Sequence, residues 1–193
     1  MAGTVRSHLA LGDPVQPAAP APCPALKSLS AAGNRLAFVT RPKLPVLFPT
    51  QANHPRGWAN AGPDALSLRP LSPGTVSGQI EATAPGRYTV WLQGSFSRGF
   101  TVSIDGRRVG SVHNALNPGG DYESAGSVQL AAGSHQLTLA RPKGNLSPGS
   151  GAAELLGPVV LAPANGSPAV ETLPAARWHD LCGRRLDWVE ALP

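Results

Sequence analysis

Between residues 75 and 112 apolar and polar positions alternate with a period of two, interrupted at short intervals by Gly, Pro and Asp-Gly. That is the pattern of short strands with one face in a core and one face outside it. In "YTVWLQGSF", residues 88–96, Tyr88, Val90 and Leu92 fall on one face, and Thr89, Trp91 and Gln93 on the other. The first face reads as core. The second is polar apart from one large indole. The same reading predicts strands at 34–40, 44–49, 75–82 and 99–112, the last a hairpin turning at Asp105-Gly106. Two more strands flank Ala132-Gly133 within 127–141, and others cover 155–163 and 185–192. "LPAARWHDLCG", 173–183, has Pro at a good first helical position and Gly183 as a stop, which predicts one or two helical turns. Residues 1–30 are rich in Pro and Ala and read as an extended linker. The expected fold is all-β, an antiparallel jelly-roll β-sandwich over 31–193 with a short C-terminal helix.

Composition fits that reading. The chain has 193 residues, 22 of them Gly and 21 Pro, a load that suits many turns better than long helices. Net charge is +5, but the charges are scattered, with adjacent pairs only at Arg107-Arg108 and Arg184-Arg185. A nucleic-acid binder clusters its charge, so nucleic acid is not an expected partner. Arg dominates the basic residues and Ala, Gly and Pro are abundant, a bias expected of a GC-rich genome such as an actinobacterium's. No stretch is apolar enough for a signal peptide or a membrane span, so an exported domain is expected to be an excised ectodomain.

Two cysteines, Cys23 and Cys182, lie near the two ends of the folded region. First and last segments of a sandwich often run side by side, so a disulfide between them is geometrically reasonable. The competing reading is two buried free thiols. The disulfide is favoured, and with it an oxidising compartment. No Cys or His spacing supports a metal site, and no cofactor is expected.

Catalytic chemistry finds little to stand on. Glycan hydrolysis needs two carboxylates at a set separation. Asp121 and Glu123 share a loop and can be imagined meeting Glu81, which makes a hydrolase with Asp121 or Glu123 as acid the third reading. No GxSxG elbow is present, His54 and His113 sit in separate loops, and "GNLSPGSG" lacks the Lys-Ser/Thr ending of a phosphate loop. No catalytic residue is assigned.

The stretch "GRYTVWLQGSFSRGFTVSIDGRRVGSV", 86–112, with its GxYxVxxxG strand and DG turn, resembles the jelly-roll carbohydrate-binding modules. "GSHQLTLAR" is similar to a GxHxLxL strand common among them. "LGPVVL" and "LCGRRLDWVE" resemble the extracytoplasmic C-terminal domain of multi-pass actinobacterial glycosyltransferase-like membrane proteins. The resemblance implies a non-catalytic module outside the membrane, in the cell envelope. Its partners would be an envelope polysaccharide or oligosaccharide and the membrane-embedded part of a glycosyltransferase. The calcium ligands of such modules are not matched.

Two candidate sites follow. On the sheet face, Trp91 and Gln93 would meet Thr89, Gln79, Glu81, Thr101 and Ser103, a flat ring among hydroxyl and amide groups that suits a sugar. At the loop edge stand Trp58, Arg98, Asn114 and Tyr122. The competing structural readings are Trp91 covered by another segment or domain, Trp58 capping the core, and Arg98 solvated. Trp178 and Trp188 read as packing residues of the tail. If Trp91 is a protein contact instead, the chain is an interaction domain of a membrane protein with no sugar binding.

Overall fold

The computed structural model describes residues 20–40, 44–62, 65–114, 121–143, 154–164 and 170–193. In chain order these form α1 (Cys23–Ser30), β1 (Arg35–Thr40), β2 (Val46–Leu47), β3 (Ala59–Ala61), β4 (Ser67–Arg69), β5 (Gly74–Ala82) and β6 (Gly86–Ile104). Then come β7 (Arg107–Asn114), β8 (Tyr122–Leu130), β9 (Gly133–Arg141), β10 (Leu155–Pro163), β11 (Glu171–Pro174) and β12 (Leu186–Leu192). Short 3-10 helices cover Pro49–Gln51 and Ala175–Leu181. The expected all-β character holds, and the strand pairs are antiparallel.

The single domain expected over 31–193 divides into two units. Unit 1 joins the two ends of the chain, 1–43 and 167–193, and unit 2, 44–166, is inserted between β1 and β11. Sequence periodicity cannot reveal this, because it carries no information on which distant strands pair. In unit 1 the sheet order is β11-β1-β12, with β1 central. Leu36 and Phe38 of β1, Val189 of β12, Leu26 of α1 and Leu181 form its core. The linker expected over 1–30 is a helix from Cys23 onward, opening on Pro24 at a position where a missing N–H costs nothing; residues 1–19 lie outside the described set. The predicted tail helix is present as a 3-10 helix ending before Gly183, whose φ is +73°. Cys23 and Cys182 are disulfide-bonded, their Cα atoms 5.0 Å apart, which settles the cysteine alternative.

Unit 2 is built around β6. Its first half pairs with β8 on one side and β10 on the other; its second half pairs with β7 and β9. β5 joins β9, and β4 and β2 join β10. One strand therefore belongs to two wings of a curled sheet. Their inward rows share one core that includes Val90, Leu92, Phe96, Phe100, Val102, Leu137, Leu139 and Val159. Two strands were expected where β6 runs unbroken. Gly94 permits the bend: its φ is +139°, and an added Cβ would lie 1.9 Å from the Leu155 carbonyl oxygen. The Asp105-Gly106 turn forms as expected, with φ of +49° and +75°.

Gly94→Ala is expected to destabilise unit 2 by about 3 kcal/mol or more, through clash and backbone strain, read from urea unfolding. The cystine closes unit 1 around an insertion whose own ends already meet, since Leu161 N–H donates to the Pro45 carbonyl. The effective loop is then roughly 40 residues, and replacing both cysteines by Ala should cost unit 1 about 4 kcal/mol. Hydrogen exchange should show protection falling in β1 and β12 and holding in β6 and β9.

Candidate functional site

Alternation along β6 places its side chains as the sequence predicts. Tyr88, Val90 and Leu92 are buried, and Thr89, Trp91 and Gln93 are half-buried on the outer face of the first wing. Tyr88 explains its own burial by closing the preceding turn, its hydroxyl donating to the Ala84 carbonyl at 2.8 Å. Opposite Trp91 stand Val160 on β10 and Ser124 on β8; opposite Gln93 stands Tyr122; opposite Thr89 stands Ser127, the two hydroxyls 3.2 Å apart. Val160 is only 4% exposed and lies beside Val46 of β2. Gln93 lies across Gly157, where an added Cβ would come within 2.7 Å of its Oε1. The Gln93 side chain therefore packs directly against the Gly157 backbone, and a larger residue there would push the amide aside.

The other companions expected for Trp91 are elsewhere. Gln79 and Glu81 belong to β5, which pairs with β9, and Thr101 and Ser103 belong to the second half of β6, beyond the bend. They line the second wing, where Gln79 Nε2 donates to Gln136 Oε1 at 2.6 Å and Ser134 donates to Gln79 Oε1 at 3.0 Å. Consecutive strands were assumed to be neighbours, and the bend in β6 together with the β9 position breaks that assumption.

The loop-edge set is also redistributed. Trp58 is 4% exposed, packs edge-on against Phe100 at 6.2 Å between centroids, and donates its Nε1–H to the Ser72 carbonyl. It plugs the core and cannot be a ligand platform in this conformation. Tyr122 joins the Trp91 face through its register with Gln93. Asn114 ends β7 opposite Phe96, and Arg98 lies in the β6 bend. Trp91, Gln93 and Tyr122 are thus brought together, Arg98 lies within β6 past Phe96 and Asn114 at the end of β7, and Trp58 is removed from the set. The carboxylates considered for hydrolysis do not converge: Glu81 pairs with Ser134 just past the β8–β9 turn, whereas Asp121 and Glu123 are at the opposite end of β8. Among the described residues no group of three His, Cys, Asp or Glu is placed to hold a metal ion.

A polar cluster at the bend escaped the sequence reading. Glu154 is 3% exposed and forms an ion pair with Arg141, itself 6% exposed. The same carboxylate accepts the Ser97 hydroxyl at 2.8 Å and the backbone N–H of Arg98. Arg141 continues the inward row of Leu137 and Leu139, so the period of two does place it inside. Three donors from β6 and β9 meet on one buried carboxylate in the approach to β10.

The sequence matches no protein family profile and no curated protein. Solved structures give distant likenesses. A family 35 carbohydrate-binding module from Clostridium thermocellum aligns at 10% identity, over 68% of this chain and all of that one, with a TM-score of 0.40. An exo-β-1,3-galactanase from Phanerochaete chrysosporium aligns at 16% identity over 63% of this chain and 30% of that one, TM-score 0.46. A mannanase carrying a CBM35 from Podospora anserina aligns at 12% identity over 70% and 29%, TM-score 0.41. What this chain can bind is decided by its own side chains.

Glu154→Gln keeps the shape of the cluster and removes its charge, leaving the Arg141 guanidinium buried without a counter-ion. The expected loss is about 3–5 kcal/mol in denaturant unfolding, far beyond a surface substitution.

Proposed function

We propose that unit 2 is a non-catalytic glycan-binding or glycan-positioning module whose ligand lies on the outer face of the first wing. The observation that carries this reading is Trp91, half-buried on a sheet face beside Gln93, Thr89, Ser124 and Tyr122. A sugar ring offers a C–H face that stacks on an indole and a rim of hydroxyls that exchange hydrogen bonds with amides and hydroxyls. Gln93, half-buried two residues along β6 and packed against Gly157, supplies an amide on the same face. The setting we infer is the extracytoplasmic side of a cell envelope, in association with the membrane-embedded part of a glycosyltransferase. The cystine supports an oxidising compartment. Among the described residues no helix is long and apolar enough to cross a membrane.

A second reading has one observation in its favour. Val46, Val160 and Trp91 form a register row across β2, β10 and β6. An apolar row is what a protein contact uses, and on this reading the face binds a protein and no sugar.

Tryptophan fluorescence during titration with arabinan, mannan and galactan fragments separates the two. Binding should be saturable, and Trp91→Ala should weaken it at least about tenfold, which corresponds to ~1.4 kcal/mol. A shift that survives the substitution would move the ligand to the β6 bend and the β7 end, near Arg98 and Asn114. Folded protein that binds no envelope glycan, by fluorescence or by array, would overturn the glycan reading in favour of the protein contact.

A further inference from the structure

At the end of unit 2 where β8 turns into β9, the His135 ring is gripped from both sides. Its Nδ1 is 2.6 Å from Asp105 Oδ2, and its Nε2 is 3.0 Å from the Ala131 carbonyl oxygen. A carbonyl oxygen and an ionised carboxylate only accept. A neutral imidazole has one N–H and one lone pair, so it can satisfy one of these partners and must face the other with a lone pair. Only the doubly protonated ring donates to both.

The anchoring is specific. Asp105 sits in the β6–β7 turn at φ +49°, and its second oxygen accepts the backbone N–H of Gln136 at 2.9 Å. Asp105 N–H in turn donates to the Gln136 carbonyl, also at 2.9 Å. Ala131 belongs to the β8–β9 turn. The His135 side chain is 11% exposed and that of Asp105 is 50% exposed, so water and protons reach the pair through the aspartate.

We propose that His135 is held as an imidazolium and acts as a pH-sensitive clip joining the β6–β7 and β8–β9 turns of unit 2. The charged groups that face it are Asp105 from the turn and Glu81 from β5, which favour the cation, while Arg107 from β7 acts on Asp105. The hydrogen bond that His135 donates to Asp105, then the one it donates to the Ala131 carbonyl, raises His135 above its ordinary 6.5. The hydrogen bond from His135, then that from the Gln136 N–H, lowers Asp105 below its ordinary 3.8. The histidine contribution to stability is therefore complete below 6.5 and is lost as pH rises through the raised value. The aspartate contribution is complete above 3.8 and is lost as pH falls through the lowered value. Between those limits the clip is whole; above them it opens first at the histidine. The clip does not depend on what the Trp91 face binds.

The test is ring-nitrogen NMR of the full chain, with thermal unfolding followed from about pH 6 to about pH 8.5. Both His135 nitrogens should carry protons at neutral pH, with a titration midpoint above that of a free histidine, and Asp105→Asn should lower that midpoint. The wild-type melting temperature should fall across this range, and His135→Gln should lose that part of the slope. A single neutral tautomer below pH 6.5, or a midpoint at or below the free value, would overturn the proposal. So would equal slopes in wild type and His135→Gln. If the variants do not fold, the wild-type titration alone decides it.

Discussion

Glu154 holds the point at which the longest strand of the molecule changes partners. A nineteen-residue strand cannot stay straight inside a small core, and β6 solves this by leaving one wing and entering the other. Gly94, whose φ is +139°, stands just before the change of partners, and the carboxylate fixes the bend by binding Ser97, the Arg98 amide and the Arg141 guanidinium at once. Burying two charges costs several kcal/mol, and the ion pair together with the Ser97 and Arg98 donors on the carboxylate offsets this. Which strands stand beside each half of β6, and so which neighbours Trp91 has, follows from where this bend falls.

The candidate site depends on the same geometry. Trp91 lies in the half of β6 before the bend, so its neighbours are those of β8 and β10, not those of β5. The resulting face mixes a polar margin, Gln93, Ser124 and Ser127, with the Tyr122 ring and an apolar row through Val160. A ring platform with hydrogen-bonding edges is the arrangement we read as a glycan surface, and the apolar row is the feature against which that reading must be tested.

Local pattern made much of this legible. The period of two put Tyr88, Val90 and Leu92 inside and Trp91 outside, and the Asp-Gly turn fell where expected, because both depend on neighbouring residues alone. The same period carries Arg141 inward after Leu137 and Leu139, a placement the pattern contains although a charge in that row is unusual. Other features were not legible for a physical reason. Which strand lies beside Trp91, whether Trp58 reaches the core, and that residues from both chain ends share a sheet all depend on long-range pairing. The helix at Cys23–Ser30 was masked by composition, since the prolines around it suit an extended linker as well as a first helical turn.

The insertion of unit 2 inside a loop closed by Cys23 and Cys182 has a mechanical consequence. Tension applied to the chain outside those two cysteines passes through the sulfur–sulfur bond rather than through the residues between them. The strands of unit 2, including β6 and its bend, then carry none of the load transmitted along the backbone. While the bridge is intact, a pull that would unravel an ordinary tandem domain leaves this one at rest. Reduction would place every intervening residue back in the line of force.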